Sequence, residues 1–267
     1  MEIILSAAIA VTVIGLICAV MLVVASTLFG VKEDEKFEEI RNVLPGANCG
    51  ACGYTGCDGY AKALASDPKV KTNLCIPGGD SCAAEIAGIL GVEAADVIEQ
   101  VAVVHCNGNC DNAPLAADFE GSYTCKSAKL VYGGPRACAY GCLGYGDCTA
   151  VCQYDAIRVI NGVAVVDPKR CTGCGLCAKA CPNSIISVVN ALRTVHVKCS
   201  NKEKGAISRK QCKVSCIGCM KCEKTCPHDA VHVENNLARI DYDKCTSCGE
   251  CASVCPTGAI FDRNPNK

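Results

Sequence analysis

The chain of 267 residues contains no Trp and only four Phe, so few large aromatic side chains are available to fill a core. Its formal net charge is -1, which excludes the strongly basic or acidic balance typical of proteins that bind nucleic acid or a highly charged partner. It also has no G-x-G-x-x-G motif, the fingerprint of dinucleotide-binding folds. These absences exclude several common functions before any motif is considered.

Charged residues are missing from the N-terminal segment between Glu2 and Lys32. About 20 consecutive apolar residues suffice for a helix that crosses a membrane, so residues 1–31 predict a retained single-pass anchor. A cleaved signal peptide is disfavoured, because only Met1 and the acidic Glu2 precede the run, where a signal peptide has a basic region. We expect the protein at the cell membrane, with the bulk of the chain on the cytoplasmic side, where free thiols persist.

Cysteine is the residue that the chain has in excess, with 27 copies. The number is odd, and most copies stand in tight C-x2-C runs. Such runs favour metal binding over a disulfide framework.

Between the anchor and the main cysteine runs, Phe37, Ile40 and Leu44 share one face of a short helix predicted over residues 33–44. The apolar run Val101–Val104 predicts a strand. The C-x2-C-x2-C-x3-C runs that begin at Cys171, Cys216 and Cys245 are typical of ferredoxins. The predicted fold class is therefore α+β: one transmembrane helix, a small helical four-cysteine module, and duplicated two-cluster ferredoxin-like domains with short β-hairpins. The predicted divisions are 1–31 for the anchor, 32–98 for the module, 99–190 for the first ferredoxin-like unit with an N-terminal extension, and 191–267 for the second.

The two ferredoxin-like units form an internal repeat with a constant offset of 74 residues, as between Cys142 and Cys216. Nine cysteines coincide at this offset: Cys125, Cys138, Cys142, Cys148, Cys152, Cys171, Cys174, Cys177 and Cys181 map onto Cys199, Cys212, Cys216, Cys222, Cys226, Cys245, Cys248, Cys251 and Cys255. A hairpin is predicted in each copy, with its turn at Asn161-Gly162 and at Asn235-Asn236.

The second copy has two regular C-x2-C-x2-C-x3-C-P runs, which are typical of bacterial two-cluster ferredoxins. In that pattern the fourth Cys of each run binds the cluster of the other run. The predicted [4Fe–4S] ligand sets are therefore Cys216, Cys219, Cys222 and Cys255, and Cys245, Cys248, Cys251 and Cys226. A pair of zinc sites is the alternative, but it does not explain the Pro after each run.

The first copy is regular only in its second run. In the other run, CAYGCLGYGDCTAVC, Tyr145 stands at the position of Cys219, and Cys138 is available as a substitute ligand. The predicted sets are Cys138, Cys142, Cys148 and Cys181, and Cys171, Cys174, Cys177 and Cys152. The alternative is a lost cluster with buried thiols. Replacement of Cys138 by Ala is expected to remove one cluster's iron, whereas the same change at Cys212 is not.

A further module has the spacing C-x2-C-x4-C-x17-C at Cys49, Cys52, Cys57 and Cys75. Glycines 50, 53 and 56 permit positive φ, so that backbone N–H groups can converge on an anionic group. The module predicts another [4Fe–4S] cluster, with a zinc knuckle as the alternative.

The remaining cysteines leave the cluster number open. Cys106, Cys110 and Cys125 are candidates for a sixth cluster, completed by Cys199 or Cys212, and buried structural thiols are the alternative. The expected cofactors are thus five [4Fe–4S] clusters, with a sixth as an option.

The anchor, the NCGACGYTGC…CIPGG module and the ferredoxin-type runs together resemble the B subunit of the Rnf complex, in its longer clostridial-type version. The resemblance covers essentially the whole chain and implies a [4Fe–4S] cluster in the Cys49–Cys75 module. It also implies that reduced ferredoxin donates electrons, which pass to membrane redox subunits for NAD⁺ reduction coupled to Na⁺ or H⁺ translocation. The flavin- and NADH-binding subunits are implied partners, because this chain has no NAD or flavin motif of its own.

Local charge suggests where ferredoxin docks. A basic patch comprises Lys198, Lys202, Lys204, Arg209, Lys210 and Lys213, with Glu203 as its one acidic member. An ordinary solvated loop is the alternative. Two other functions stay open: a membrane-tethered iron–sulfur redox sensor, and an electron donor to a corrinoid protein or another membrane reductase.

Overall fold

The computed structural model describes residues 2–28 and 35–264. Helix α1 spans Glu2–Leu28 and presents large apolar side chains such as Val11, which is 71% exposed. Within the described part of the chain, no helix meets the length and apolarity that a membrane crossing requires. The helix is therefore confirmed, whereas its passage through a membrane stays a prediction. Met1 and residues 29–31 of the predicted anchor lie outside the described residues.

Three helices build the module after α1: α2 (Glu35–Val43), α3 (Gly56–Ser66) and α4 (Gly79–Leu90). Ile40, Tyr60 and Ile86 are almost fully buried where these helices meet, because apolar residues recur at helical spacing on their inner faces. The buried Tyr60 keeps its hydroxyl satisfied by donating a hydrogen bond to the carbonyl oxygen of Lys71 at 2.6 Å. The predicted helix over residues 33–44 is confirmed for its described part.

Among the described residues, the ferredoxin-like part contains eight short strands in two-stranded antiparallel sheets. The strands are β1 (Gln100–Val104), β2 (Ile157–Ile160), β3 (Val163–Val166), β4 (Ile186–Asn190), β5 (Val195–Val197), β6 (Val231–Glu234), β7 (Leu237–Ile240) and β8 (Ile260–Asp262). The short helices among them are α5 (Cys125–Leu130), α6 (Asp147–Ala150), α7 (Leu176–Ala180), α8 (Gly205–Gln211), α9 (Lys221–Thr225) and α10 (Glu250–Ser253). Each unit has a hairpin, β2–β3 or β6–β7, and an outer pair, β1–β4 or β5–β8.

Both predicted hairpins are confirmed. The turn residues Asn161, Gly162, Asn235 and Asn236 all have positive φ, between 48° and 75°. Two successive positive φ angles define the tight turn that matches the twist of a hairpin, and Asn and Gly tolerate them best.

Strand pairing corrects one part of the predicted repeat. Val104 pairs with Ile186 in the first unit, and Val197 pairs with Ile260 in the second. The C-terminal partners are 74 residues apart, but the N-terminal partners are 93 apart, so the first unit carries 19 extra residues after β1. Cys106, two residues after Val104, is therefore the structural counterpart of Cys199. The alignment of Cys125 with Cys199 at a constant offset is wrong.

Candidate iron–sulfur centres

The Cys49–Cys75 module forms a tight loop that leads into α3. Gly50, Gly53 and Gly56 have φ of +68°, +87° and +87°, which confirms the predicted backbone. Side chains are strained at such angles, and a Cβ at Gly56 would also lie 2.8 Å from Oδ1 of Asn48. The same oxygen accepts a hydrogen bond from the backbone N–H of Cys57 at 2.9 Å, which fixes the loop to the helix start. Local geometry thus explains the glycine spacing.

The four cysteines of this module lie close together. Cys49, Cys57 and Cys75 are buried, and Cys52 is half-buried. Burial raises the pKa of the Cys52 thiol, and negative charge on Cys75 and Cys49 raises it further. A fifth thiol, Cys82, shares a hydrogen bond with Cys75, and this bond and burial raise the pKa of Cys75.

In the second unit, the predicted sets come together. Cys216, Cys219, Cys222 and Cys255 line one cavity. The neighbouring set surrounds Cys251, whose pKa burial raises to about 12, with further contributions from Cys245, Cys248 and Cys226. Cys219 and Cys248 are exposed, so each set includes one residue that is exposed to solvent.

In the first unit, one predicted set is brought together unchanged and the other is not. Cys152, Cys171, Cys174 and Cys177 line one cavity. A second cavity is lined by Cys125, Cys142, Cys148 and Cys181. Cys138 does not line that cavity and belongs to a different one. Cys125 therefore takes the place that the sequence prediction gave to Cys138.

Helix α5 explains why Cys125 reaches this cavity. The carboxylate of Asp147, at the start of α6, accepts hydrogen bonds from the backbone N–H groups of Cys125 and Lys126 at 2.8 and 3.1 Å. An acceptor at a helix N-terminus satisfies N–H groups that lack partners within the helix. Tyr145 and Phe119 pack against the core formed by Cys125, Ala128 and Leu143, with their ring centroids 5.6 Å apart. The extra segment of the first unit thus places Cys125 at the same cavity as Cys142, Cys148 and Cys181.

The predicted group of Cys106, Cys110 and Cys125 is not brought together. Cys110 is exposed and accepts a hydrogen bond from Nη2 of Arg136 at 3.5 Å. Cys106 is buried next to Cys142, whose N–H donates to its sulfur at 3.3 Å. Sequence separation alone could not distinguish these three environments.

The residues present fit iron–sulfur clusters by the chemistry of their donors. Backbone N–H groups of Ala102, Ala156 and Ala230 donate to the sulfurs of Cys171, Cys152 and Cys226 at 3.3 to 3.4 Å. Such bonds favour the thiolate, whereas burial without a metal disfavours it. Iron held by these cysteines would resolve this conflict, because it would replace the thiol proton. No three Cys, His, Asp or Glu side chains of the described residues converge on a single metal ion.

The cysteine sets are neighbours along the molecule. Nζ of Lys179 in α7 donates to the carbonyl oxygen of Cys49 at 2.6 Å, so the N-terminal module contacts the first unit beside Cys174. Within that unit, burial raises the pKa of Cys148 to about 12, and charge on Cys177 from the adjoining set contributes. In the second unit Cys222 interacts in the same way with Cys251 of the adjoining set.

The basic patch is only partly at the surface. Five of its members are exposed: Lys202, Lys204, Arg209, Lys210 and Lys213. Lys198 is half-buried, and burial lowers the pKa of its ammonium group. Its Nζ lies 5.7 Å from the centroid of the Phe261 ring. Lys198 is therefore less accessible to a partner than the other five members of the patch.

Three family models match the cysteine runs. They are described as "4Fe-4S dicluster domain" for residues 215–259, "4Fe-4S binding domain" for residues 164–187 and "Putative Fe-S cluster" for residues 44–77. Together with the hairpin units, these matches define a ferredoxin-type iron–sulfur protein with several [4Fe–4S] clusters.

Curated relatives specify the family. The B subunit of the Na(+)-translocating ferredoxin:NAD(+) oxidoreductase complex of Acetobacterium woodii is 46% identical over 234 residues, which cover 87% of this chain and 70% of that protein. Its proton-translocating counterpart in Clostridium ljungdahlii is 41% identical over 237 residues, covering 88% and 84%. The B subunit of the ion-translocating oxidoreductase complex of Methanosarcina acetivorans is 38% identical, covering 88% and 89%. The chain belongs to the family of Rnf complex B subunits, as the sequence predicted.

Proposed function

We propose that this iron–sulfur protein accepts electrons from reduced ferredoxin and passes them to the membrane redox subunits of an Rnf complex. There they reduce NAD⁺, coupled to translocation of Na⁺ or H⁺. The observation that carries the proposal is that the two cysteine sets within each unit adjoin one another, and that the Cys49–Cys75 module adjoins the first unit. A row of neighbouring redox centres is what a conductor of single electrons needs.

The proposed ligands form five sets, and bound [4Fe–4S] clusters supply one-electron redox chemistry at them. The sets are Cys49, Cys52, Cys57 and Cys75; Cys152, Cys171, Cys174 and Cys177; Cys125, Cys142, Cys148 and Cys181; Cys216, Cys219, Cys222 and Cys255; and Cys226, Cys245, Cys248 and Cys251. The protein excludes water by burying most of these sulfurs. It also directs N–H groups at several of them, and such hydrogen bonds tune the potential.

Helix α1 is the proposed attachment to the membrane. Its 27 residues extend about 40 Å at the usual rise. Its described apolar side chains are exposed, including Leu16 and Leu22 at 68% and 71%. A membrane or a partner helix would cover them. The proposed location is the cell membrane, with the iron–sulfur units in the cytoplasm.

The second unit is the proposed docking surface for ferredoxin. Cys219 and Cys248 are exposed there, and Lys202, Lys204 and Arg209 on and before α8 are exposed as well. A positive surface steers an acidic partner and raises its association rate at low salt.

The test is a rate measurement on the intact complex isolated from membranes. The triple change Lys202→Glu, Lys204→Glu and Arg209→Glu should slow ferredoxin-dependent NAD⁺ reduction, and added salt should shrink the difference from the unchanged complex. A matched control reverses three exposed lysines of the N-terminal module, Lys62, Lys69 and Lys71. An unchanged rate in the triple variant, or equal slowing in the control, contradicts the docking surface.

The same preparation tests the function itself. An Rnf subunit should be retained in the membrane fraction and co-purify with flavin-bearing partners. A chain that is isolated alone, without ferredoxin-dependent NAD⁺ reduction in the preparation, would favour a sensor or a donor to another reductase.

A further inference from the structure

A separate cavity lies between the two ferredoxin-like units and is lined by four cysteines that no proposed set uses. They are Cys106, Cys138, Cys199 and Cys212. Cys106, Cys138 and Cys212 are buried, and Cys199 is half-buried. Each unit contributes two of the four.

The cavity is built symmetrically. Cys106 and Cys199 each follow the first strand of their unit, and each sulfur accepts a hydrogen bond at 3.3 Å from the N–H of the first regular cysteine, Cys142 or Cys216. Cys138 and Cys212 also occupy equivalent turns. Each carbonyl oxygen accepts a hydrogen bond from the backbone N–H three residues later, that of Gly141 at 3.3 Å and that of Ser215 at 3.2 Å. Two copies of one structural element thus face each other with a pair of thiols each.

Distances measured from two glycine positions limit how far apart the sulfurs can be. A Cβ at Gly108 would lie 3.5 Å from the sulfur of Cys212 and 3.6 Å from that of Cys106. A Cβ at Gly141 would lie 3.4 Å from the sulfur of Cys106 and 3.7 Å from that of Cys138. The sulfurs of Cys106 and Cys212 can be no farther apart than the sum of the two Gly108 distances. The sulfurs of Cys106 and Cys138 are bounded in the same way by the two Gly141 distances. The sulfur of Cys106 is therefore close both to that of Cys138 and to that of Cys212, and the three cysteines come from three separate chain segments.

Polar groups at the cavity favour anionic sulfur. The N–H of Gly108 donates to Cys106 at 3.4 Å, and Nδ2 of Asn201, which is 1% exposed, donates to Cys138 at 3.4 Å. Arg136 and Lys198 also line the cavity, and none of the described lining residues is acidic. Nε of Arg136 is buried without a partner among the described residues. Buried cations are costly unless negative charge offsets them.

We propose that Cys106, Cys138, Cys199 and Cys212 ligate a sixth [4Fe–4S] cluster that joins the two units. A cluster held by four thiolates carries net negative charge, which Arg136 and Lys198 would offset. The site adjoins Cys142 on one side and Cys216 on the other, so it closes the gap in the row of sets. Its part in conduction rests on the proposed function, whereas ligation by these cysteines does not.

The test counts iron and acid-labile sulfide in the full chain after anaerobic reconstitution. Six clusters correspond to about 24 iron atoms, and Cys138→Ala and Cys212→Ala should each remove about four iron and four sulfide. The sequence-based expectation that Cys212→Ala removes no iron is thereby replaced, because Cys138 and Cys212 line the same cavity. Cys110→Ala is the matched control, because Cys110 lies in the same segment as Cys106 but outside the cavity, and its iron count should not change. Iron counts unchanged in both cavity variants, or loss of zinc in place of iron, overturn the proposal.

A second variant keeps all four thiols and therefore does not depend on tolerance of a lost cluster. Asn201→Asp removes the donor to Cys138 and adds negative charge, so the potential of one cluster should become more negative while the iron count stays the same. A redox titration in which every cluster keeps its potential overturns the site. A full iron count in the chain, together with no ferredoxin-dependent NAD⁺ reduction by the intact complex from membranes, would instead overturn the proposed function and leave the site standing.

Discussion

The role of Cys125 can be tested by moving its thiol to another position. Cys125 lines the cavity with Cys142, Cys148 and Cys181, whereas Tyr145 stands at the sequence position of Cys219 in the other unit. The backbone before this position is equivalent in both units. Gly144 and Gly218 both have positive φ, and both approach the hairpin turn of their own unit. A cysteine at position 145 should therefore reach the cavity as Cys219 does.

We expect Cys125→Ala to remove about four iron atoms per chain, and the double variant Cys125→Ala with Tyr145→Cys to restore them. The exchange has a cost in stability. The Tyr145 ring lies 5.6 Å from the ring of Phe119 and 5.9 Å from that of Tyr123. Such pairs contribute about 0.5–1.5 kcal/mol each, so the loss of both lowers the free energy of unfolding by about 1–3 kcal/mol.

The assay is iron and sulfide analysis with visible absorbance of the reconstituted full chain, and denaturant unfolding gives the stability. Tyr145→Cys in a Cys138→Ala background is the control, and it should not restore iron because Cys138 lines a different cavity. Full iron in Cys125→Ala, or rescue of Cys138→Ala by the same change, would refute the assignment of Cys125.

Two further predictions concern single side chains. Lys179→Met removes the hydrogen bond to Cys49 and a positive charge. The potential of one cluster should therefore become more negative, and the free energy of unfolding should fall by about 1–2 kcal/mol. Redox titration and denaturant unfolding measure these effects, with Lys179→Arg as the control. His196 is 3% exposed, and its pKa is lowered to about 4 by burial first and then by Arg263 and Lys198. The imidazole of the unfolded chain takes up a proton near pH 6.5, whereas that of the folded chain does not, so the free energy of unfolding should fall by about 2 kcal/mol between pH 7 and 5. Denaturant unfolding should show a smaller fall in His196→Gln. The fall should be the same as in the unchanged protein in the control His228→Gln, at an exposed site.

Local patterns in the sequence predicted the local structure. Asn161-Gly162 and Asn235-Asn236 specify tight turns because few other residues tolerate positive φ twice in succession, and both hairpins form. The regular four-cysteine runs likewise predicted which thiols of the second unit would meet. In both cases the deciding interactions lie within a few residues or repeat at a fixed spacing.

The cysteines outside regular runs could not be placed in the same way. Cys138 is nearer than Cys125 to Cys142 in the sequence, yet the docking of α5 through Asp147 brings Cys125 to the cavity instead. One signal was available: an apolar strand followed by a cysteine occurs at Val104 and again at Val197. Matching those strands would have paired Cys106 with Cys199 and revealed the insertion. The half-buried position of Lys198 could not be predicted either, because charge alone does not show how deeply a residue beside a strand is buried.

The pairing of the outer strands imposes an order on biosynthesis. The strand β1 can pair only after β4 has been synthesised, and β5 only after β8. The first unit can therefore complete its sheets once residue 190 is made, before the second unit is synthesised. Domains generally fold as units during translation, the N-terminal one first. The cavity between the units is different, because Cys106 and Cys138 are made well before Cys199 and Cys212. When the first unit has been synthesised, Cys106 and Cys138 are present but the other two proposed ligands of this cavity are not. A cluster inserted at that stage finds four ligands within the first unit, but only two at the cavity between the units.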